Sequence, residues 1–237
     1  MPGFLFLFSF AGVKSIPHTK FKADHFSALR HIPEPSGITY DQQTGTFYVV
    51  SDHGILFECD SSFRILREAD EEGMDFEGVV IKDSFIYVSD ESPRFVYKYR
   101  KRDLAFIKKY PVNWGDAMNK AFESITYNEV KRCFVLVSQQ PVAIIEYDSN
   151  FHETERYSFH GARDISDAAW HNGVLYLLSN MDQCIFKCDP LTYEPLACYH
   201  VNVLNPEGLT FNDRGEVFIT SDDLQRIYFF KNLPTIK

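Results

Sequence analysis

The chain of 237 residues is 45% hydrophobic and 16% aromatic, enough for one sizeable core, and its 22 Phe and 13 Tyr favour pleated, half-buried surfaces. A net charge of −9 argues against nucleic acid as a partner, because acidic surface repels phosphate, and leaves cationic ligands and metal ions open. The five cysteines (Cys59, Cys133, Cys184, Cys188 and Cys198) form no CxxC pair, which excludes zinc-ribbon and thioredoxin readings. They read as small buried residues, and their odd number gives a disulfide no support.

Residues 1–15 come first. Phe4 to Val13 is apolar apart from Ser9 and a glycine, the length of a signal-peptide core and too short to span a bilayer as a helix. No Lys or Arg precedes it. It reads as a signal or anchor remnant, with an extra strand as the alternative, and sets the main domain at 17–237. Membrane association, if any, runs through this segment alone.

Next comes FKADHFSALR, residues 21–30, which precedes a set of five repeats and has no other home. The repeats are SGITYDQQTGTFYVVSD from Ser36, EGVVIKDSFIYVSD from Glu77, ESITYNEVKRCFVLVSQ from Glu123, DAAWHNGVLYLLSN from Asp167 and EGLTFNDRGEVFITSD from Glu207. Their starts lie 41, 46, 44 and 40 residues apart, the spacing of one four-stranded propeller blade. Each copy opens with an acid, or Ser36 in the first. A tiny residue follows: Gly37, Gly78, Ser124, Ala168 or Gly208. Small residues there suit a crowded innermost strand near an axis. A turn leads to a second, apolar strand that ends in Ser plus a polar residue.

Third strands read ILFECD, RFVYKY, AIIEYD, CIFKCD and RIYFF, and more polar fourth strands FRILRE, AFIKKY, HETERYSF and EPLACYH. The last repeat lacks a fourth strand. The spacing therefore predicts an all-β, five-bladed β-propeller of four-stranded antiparallel blades, in which residues 21–30 supply the missing outer strand and close the ring.

In an antiparallel hairpin the start of the first strand lies beside the end of the second. Two rings of polar residues should thus share one face of the disc. The inner ring is Ser36, Glu77, Glu123, Asp167 and Glu207. The outer ring is Asp52, Asp90, Gln139, Asn180 and Asp222. His53, Glu91 and Asp223 follow nearby, and Glu34 stands where it could replace the missing first acid. Two carboxylates ~5 Å apart repel by roughly 3 kcal/mol at an effective dielectric of about 20, so some must carry protons, splay into water or share a cation. Hard oxygen ligands with the amide oxygens of Gln139 and Asn180 suit Ca²⁺, or Mg²⁺ as the alternative. Glu77, Glu123, Asp167 and Glu207 are the expected metal ligands. Ser36 and the outer ring are the expected ligand-binding groups, although Asp and Ser at strand ends also cap turns.

No GxSxG, HExxH, P-loop or GxGxxG pattern occurs. His171 falls in an inward column with Tyr40, Ile81, Tyr127 and Phe211 and reads as a core histidine. Trp114 and Trp170 read as core or channel wall. The connection 111–122 is long enough to cover the mouth as a lid, with ordinary loop variation as the alternative.

Laid out this way, the chain resembles the SdiA-regulated (YjiK-like) family of bacterial β-propellers. The marks are DFEGVVI with FIYVSDE, AFESITY with FVLVSQQPVAIIEYD, DISDAAW with VLYLLSN, and NPEGLTF with VFITSDD. The resemblance implies a five-bladed disc held outside the cytoplasmic membrane behind an N-terminal signal or anchor, with the family's acid-ring positions at Glu77, Glu123, Asp167 and Glu207. Related members include a calcium-regulated propeller and proteins labelled phytase-like or esterase-like.

The leading expectation is a monomeric, non-enzymatic envelope propeller that binds a divalent cation, a small polar ligand or a protein partner at its acidic mouth. The alternative is a metal-dependent hydrolase of a lactone, ester or phytate type, with Glu123 or Glu207 as base. Few basic residues, Arg94 and Arg163, lie near that face, which disfavours a polyanionic substrate. A scaffold with an empty channel is the third reading.

Overall fold

The computed structural model describes residues 15–113 and 122–235. The segment Phe4–Val13, Trp114 and most of the 111–122 connection lie outside them. Two short strands come first, β1 (His18–Phe21) and β2 (His25–Ala28). Blade 1 holds β3 (Pro35–Asp41), β4 (Thr46–Ser51), β5 (Ile55–Cys59) and β6 (Ile65–Glu68). Blade 2 holds β7 (Phe76–Lys82), β8 (Phe85–Asp90), β9 (Phe95–Arg100) and β10 (Phe106–Pro111). Blade 3 holds β11 (Ser124–Asn128), β12 (Cys133–Ser138), β13 (Ala143–Tyr147) and β14 (Glu153–Ser158). Blade 4 holds β15 (Asp167–His171), β16 (Val174–Ser179), β17 (Cys184–Cys188) and β18 (Pro195–Val201). Blade 5 holds β19 (Pro206–Phe211), β20 (Glu216–Ser221) and β21 (Arg226–Asn232). No helix occurs among the described residues. The protein is a five-bladed β-propeller.

Each blade is an antiparallel meander, and the blade 4 hairpin shows how the sequence sets it. His171 pairs with Val174 across Asn172 and Gly173, whose φ values of 49° and 78° match the two left-handed positions of a tight hairpin turn. The first strand of each blade is innermost, and β3, β7, β11, β15 and β19 touch in sequence around the axis and back to β3. Crowding there explains the tiny residues: a Cβ on Gly78 would lie 2.5 Å from the Ile125 nitrogen of the next blade. One on Gly37 would run into the Glu77 carbonyl oxygen.

The apolar core is divided between the blades. Five clusters of buried side chains each join two neighbours, for example Val80, Tyr87 and Val96 of blade 2 with Phe134, Leu136 and Ile145 of blade 3. A ring held this way has no free face on any blade.

The ring closes as the sequence predicts. β2 pairs antiparallel with β21, with His25 opposite Phe229 and Ala28 opposite Arg226, and so supplies the fourth strand of blade 5. One strand was not anticipated. Phe21 does not join β2; it ends β1, which pairs parallel with β18 and makes blade 4 five-stranded. The side chain of Phe21 then packs in the core between blades 4 and 5. The cysteines also depart from expectation. Cys184 and Cys198 form a disulfide across β17 and β18, while Cys59 and Cys188 are buried and free. The cross-strand geometry brings Cys184 within bonding reach of Cys198, a partner 14 residues away.

Candidate functional site

The leading residues of the inner strands gather at one mouth of the channel. Glu77 feels Glu123, Asp52, Asp75 and Glu91, and Glu207 feels Asp222, Asp52, Asp164 and Asp167. Asp52 is common to both sets, so acids of all five blades form one electrostatic neighbourhood.

Blade 2 builds its densest part. Phe76 pairs with Asp90 at the strand ends, and the register shifts before Val79. The buried Asp90 carboxylate turns back to accept the backbone N–H groups of Met74 and Asp75, at 3.0 Å each. The Glu91 N–H donates to the Asp75 carbonyl at 2.9 Å. These bonds hold Asp75, Glu77 and Glu91 together, so that one carboxylate oxygen from each lies within 4.8 Å of the others. Burial, then the surrounding acids with Glu123 first, pushes Glu77 well above the usual carboxylate range. Burial also raises Asp75.

The outer ring adds two unmet acceptors. Asp52 Oδ1 and Gln139 Oε1 are buried without a hydrogen-bond partner. Burial pushes Asp52 up to about 6, opposed by the Ser36 hydroxyl and reinforced by Asp75 and Asp222. Ser36 Oγ itself donates to the Phe76 carbonyl at 2.5 Å, tying blade 1 to blade 2.

On the far side of the mouth an amide chain takes over. Asn180 Nδ2 donates to Asn205 Oδ1 and to Glu207 Oε1, the latter at 3.3 Å. Asn205 Nδ2 donates to Asp222 Oδ1 at 2.5 Å. Burial, then Asp222 and Asp52, pushes Glu207 up to about 8.

Three expected site residues are placed differently. Asp167 is buried with both oxygens engaged: Oδ1 accepts Ser124 Oγ at 2.9 Å and the Ala168 N–H at 2.7 Å, and Oδ2 accepts the Leu209 N–H at 2.6 Å. It stitches blades 3, 4 and 5 rather than facing the Asp75–Glu77–Glu91 group. Burial pushes it up to about 8 against those three donors. Asp90 positions the cluster through its loop. Glu34 does not replace the missing first acid but pairs with His53 at 3.2 Å on exposed surface. The serines before the outer ring tie down the backbone beside their strands: Ser89 accepts the Gly78 N–H at 2.9 Å, and Ser221 donates to the Leu204 carbonyl at 2.6 Å. Arg163 is taken by Asp182 at 2.6 Å.

Asp75 and Asn205 were not anticipated. Both stand two residues before a leading acid, as Glu34 does before Ser36, so a polar residue at that offset was the available signal. The opposite end of the channel was also missed. The C-terminal halves of the inner strands enclose a cavity of about 570 Å³, bordered by Tyr40, Lys82, Tyr127, Trp170 and His171 among others. Its charges are paired: Lys101 meets Asp41 at 2.8 Å and Lys82 meets Asp83 at 3.2 Å. His171 is half-buried, stacks on Phe211 at 4.6 Å, and is shifted down by burial.

Fold and mouth together define a β-propeller with an acidic channel entrance. The family model for SdiA-regulated proteins matches residues 18–231, and the chain belongs to that family. Comparison with curated proteins gives no match. Among solved structures the chain is similar to the glutaminyl cyclase of Myxococcus xanthus, at a TM-score of 0.73 and 12% identity over 92% of this chain and 98% of that one. It is also similar to a protein of unknown function from Bacteroides caccae, at a TM-score of 0.57 and 13% identity over 79% and 70% of the two chains. At these identities the likeness is one of fold.

Proposed function

We propose that this member of the SdiA-regulated family is a non-enzymatic, monomeric propeller that binds a divalent cation, Ca²⁺, at its acidic mouth, alone or with a small polar ligand or protein partner. The observation that carries the reading is the convergence of Asp75, Glu77 and Glu91. Oxygens no more than 4.8 Å apart fit on the coordination sphere of Ca²⁺, whose radius is about 2.4 Å. A cation there would offset the surrounding negative charge that, after burial, raises Glu77, and the unpartnered Asp52 Oδ1 supplies a further oxygen in the same neighbourhood. Glu123 and Glu207 complete the negative potential around it. Mg²⁺ fits less well, because it demands tighter, near-octahedral geometry. The Cys184–Cys198 disulfide suits an oxidising compartment and supports placement outside the cytoplasmic membrane. Calorimetric titration of chelator-treated protein tests the reading; no heat at millimolar Ca²⁺ and Mg²⁺ overturns it.

A second reading is metal-assisted hydrolysis of a neutral ester or lactone. Glu207 favours it: a carboxyl pushed up to about 8 by burial and the acids around it has the character of a general acid or base. The glutaminyl cyclase likeness lends no activity to it, being a likeness of fold. A substrate panel with and without Ca²⁺, repeated in Glu207→Gln and Glu123→Gln, separates the readings. Turnover lost in both variants and in EDTA supports hydrolysis.

A further inference from the structure

The outer edge of blade 4 carries a second cluster, remote from the mouth in composition and position. β1 lies parallel to β18 with His18 opposite Cys198 and Lys20 opposite His200, fixed by a bond from the Cys198 N–H to the Pro17 carbonyl at 2.9 Å. His18 Nδ1 and His200 Nε2 are 2.8 Å apart, and Cys198 Sγ lies 3.6 Å from His200 Nε2. All three ligand atoms fall within 4.8 Å of one another. Cys184, the disulfide partner of Cys198, is opposite His200 on β17, with its Cα 5.9 Å from that of Cys198.

We propose that, when the disulfide is reduced, His18, Cys198 and His200 bind Zn²⁺, with Cys184 as the fourth ligand. Two imidazole nitrogens and two thiolates are the donor set of a tetrahedral zinc site. With Zn–N near 2.0–2.1 Å and Zn–S near 2.3 Å, the edges of such a tetrahedron are about 3.3–3.8 Å. The Cys198–His200 edge already has that length, and the two imidazoles need to part by about half an ångström. Both histidines are exposed and the sulfurs buried, so the metal would enter from solvent and seat on the strand edge. The site is redox-gated. Two small-molecule thiols reduce the Cys184–Cys198 bond to two cysteine thiols and leave as their own disulfide. Zinc then displaces one proton from each thiol. Oxidation by a disulfide reverses the exchange and removes two of the four ligands. The metal would fasten β1 to blade 4, joining residues 182 positions apart in the chain.

The experiment is Co²⁺ and Zn²⁺ titration of the full chain, with and without prior reduction by a dithiol that is then removed. The expected result is one tightly bound Co²⁺ in the reduced protein, with a thiolate-to-cobalt charge-transfer band. Zn²⁺ should displace it. Cys198→Ser should weaken the band, leaving Cys184 as the single thiolate, and combining it with Cys184→Ser should abolish it; His18→Ala and His200→Ala should weaken binding by about tenfold or more. Glu77→Gln, which alters only the mouth, should leave it unchanged. The oxidised protein should show no such band. No stoichiometric binding after reduction overturns the proposal, as does a cobalt spectrum indifferent to Cys198→Ser. Stoichiometric Co²⁺ binding that shows no charge-transfer band and is lost in Glu77→Gln would also overturn it, by placing the metal at the mouth.

Discussion

Asp90 accepts the backbone N–H of Asp75 at 3.0 Å, so one buried carboxylate fixes where another, ligand-bearing one stands. The two acids are 15 residues apart and have different tasks. Asp90→Ala should remove two hydrogen bonds and cost roughly 2–3 kcal/mol, which for a domain of this size lowers Tm by about 4–12 °C. It should also weaken Ca²⁺ binding. Glu77→Gln should weaken Ca²⁺ by about tenfold or more, because ligand charge sets affinity, while thermal stability without metal holds or rises. Calorimetry of both variants checks the division of labour; unchanged affinity in Glu77→Gln would remove the ligand assignment.

The pH dependence follows from the raised carboxyls. Asp52 is pushed to about 6 and Glu207 to about 8, with Glu77 also raised. An acid whose folded-state pKa exceeds its unfolded value binds protons more tightly when folded. Its contribution is most favourable below the unfolded value and declines as pH rises through the folded one. The metal-free protein should therefore lose stability between about pH 4 and 8. Ca²⁺ competes with those protons, so its affinity should rise over the same interval, with protons released on binding. Denaturant melts in EDTA and titrations in two buffers of different ionisation enthalpy measure both slopes. Stability rising steadily from pH 5 to 8 in EDTA would contradict the assignment.

Asp167→Asn separates stitching from ligation. Its amide would face the Leu209 N–H with a second donor, leaving a buried group unpaired at about 1–3 kcal/mol. Ca²⁺ affinity should change by less than about twofold, since distant sites act independently. A large loss of affinity with intact stability would return Asp167 to the ligand set.

Two glycines should respond very differently to alanine. Gly78→Ala drives a Cβ against the Ile125 backbone of the next blade and should cost about 3 kcal/mol or more. Gly173→Ala meets nothing within 4 Å and suffers only from its φ of 78°, so about 1 kcal/mol is expected. Equal losses in urea melts would argue against the close inner-strand contact.

Blade number, strand order and ring closure were legible because each rests on a repeated local pattern: an acid, a tiny residue, an apolar second strand and a terminal Ser. The position of the acids at one mouth followed from hairpin geometry. Which acids converge was not legible, because it depends on where single carboxylate oxygens find donors. In the repeat Asp167 looks like Glu77 and Asp90 like Asp52, yet their oxygens are filled by backbone N–H groups. The Cys184–Cys198 pair was hidden for a related reason. It joins diagonal positions on β17 and β18, a relation set by register rather than by cysteine spacing. β1 escaped because four residues pairing with an outer edge leave no periodic signature.

Pairing β2 with β21 has a temporal meaning. His25 is made long before its partner Phe229, so the early strand waits for a neighbour that does not yet exist. Blades 2, 3 and the meander of 4 can mature in order meanwhile, and the ring is tied only once β21 has been made.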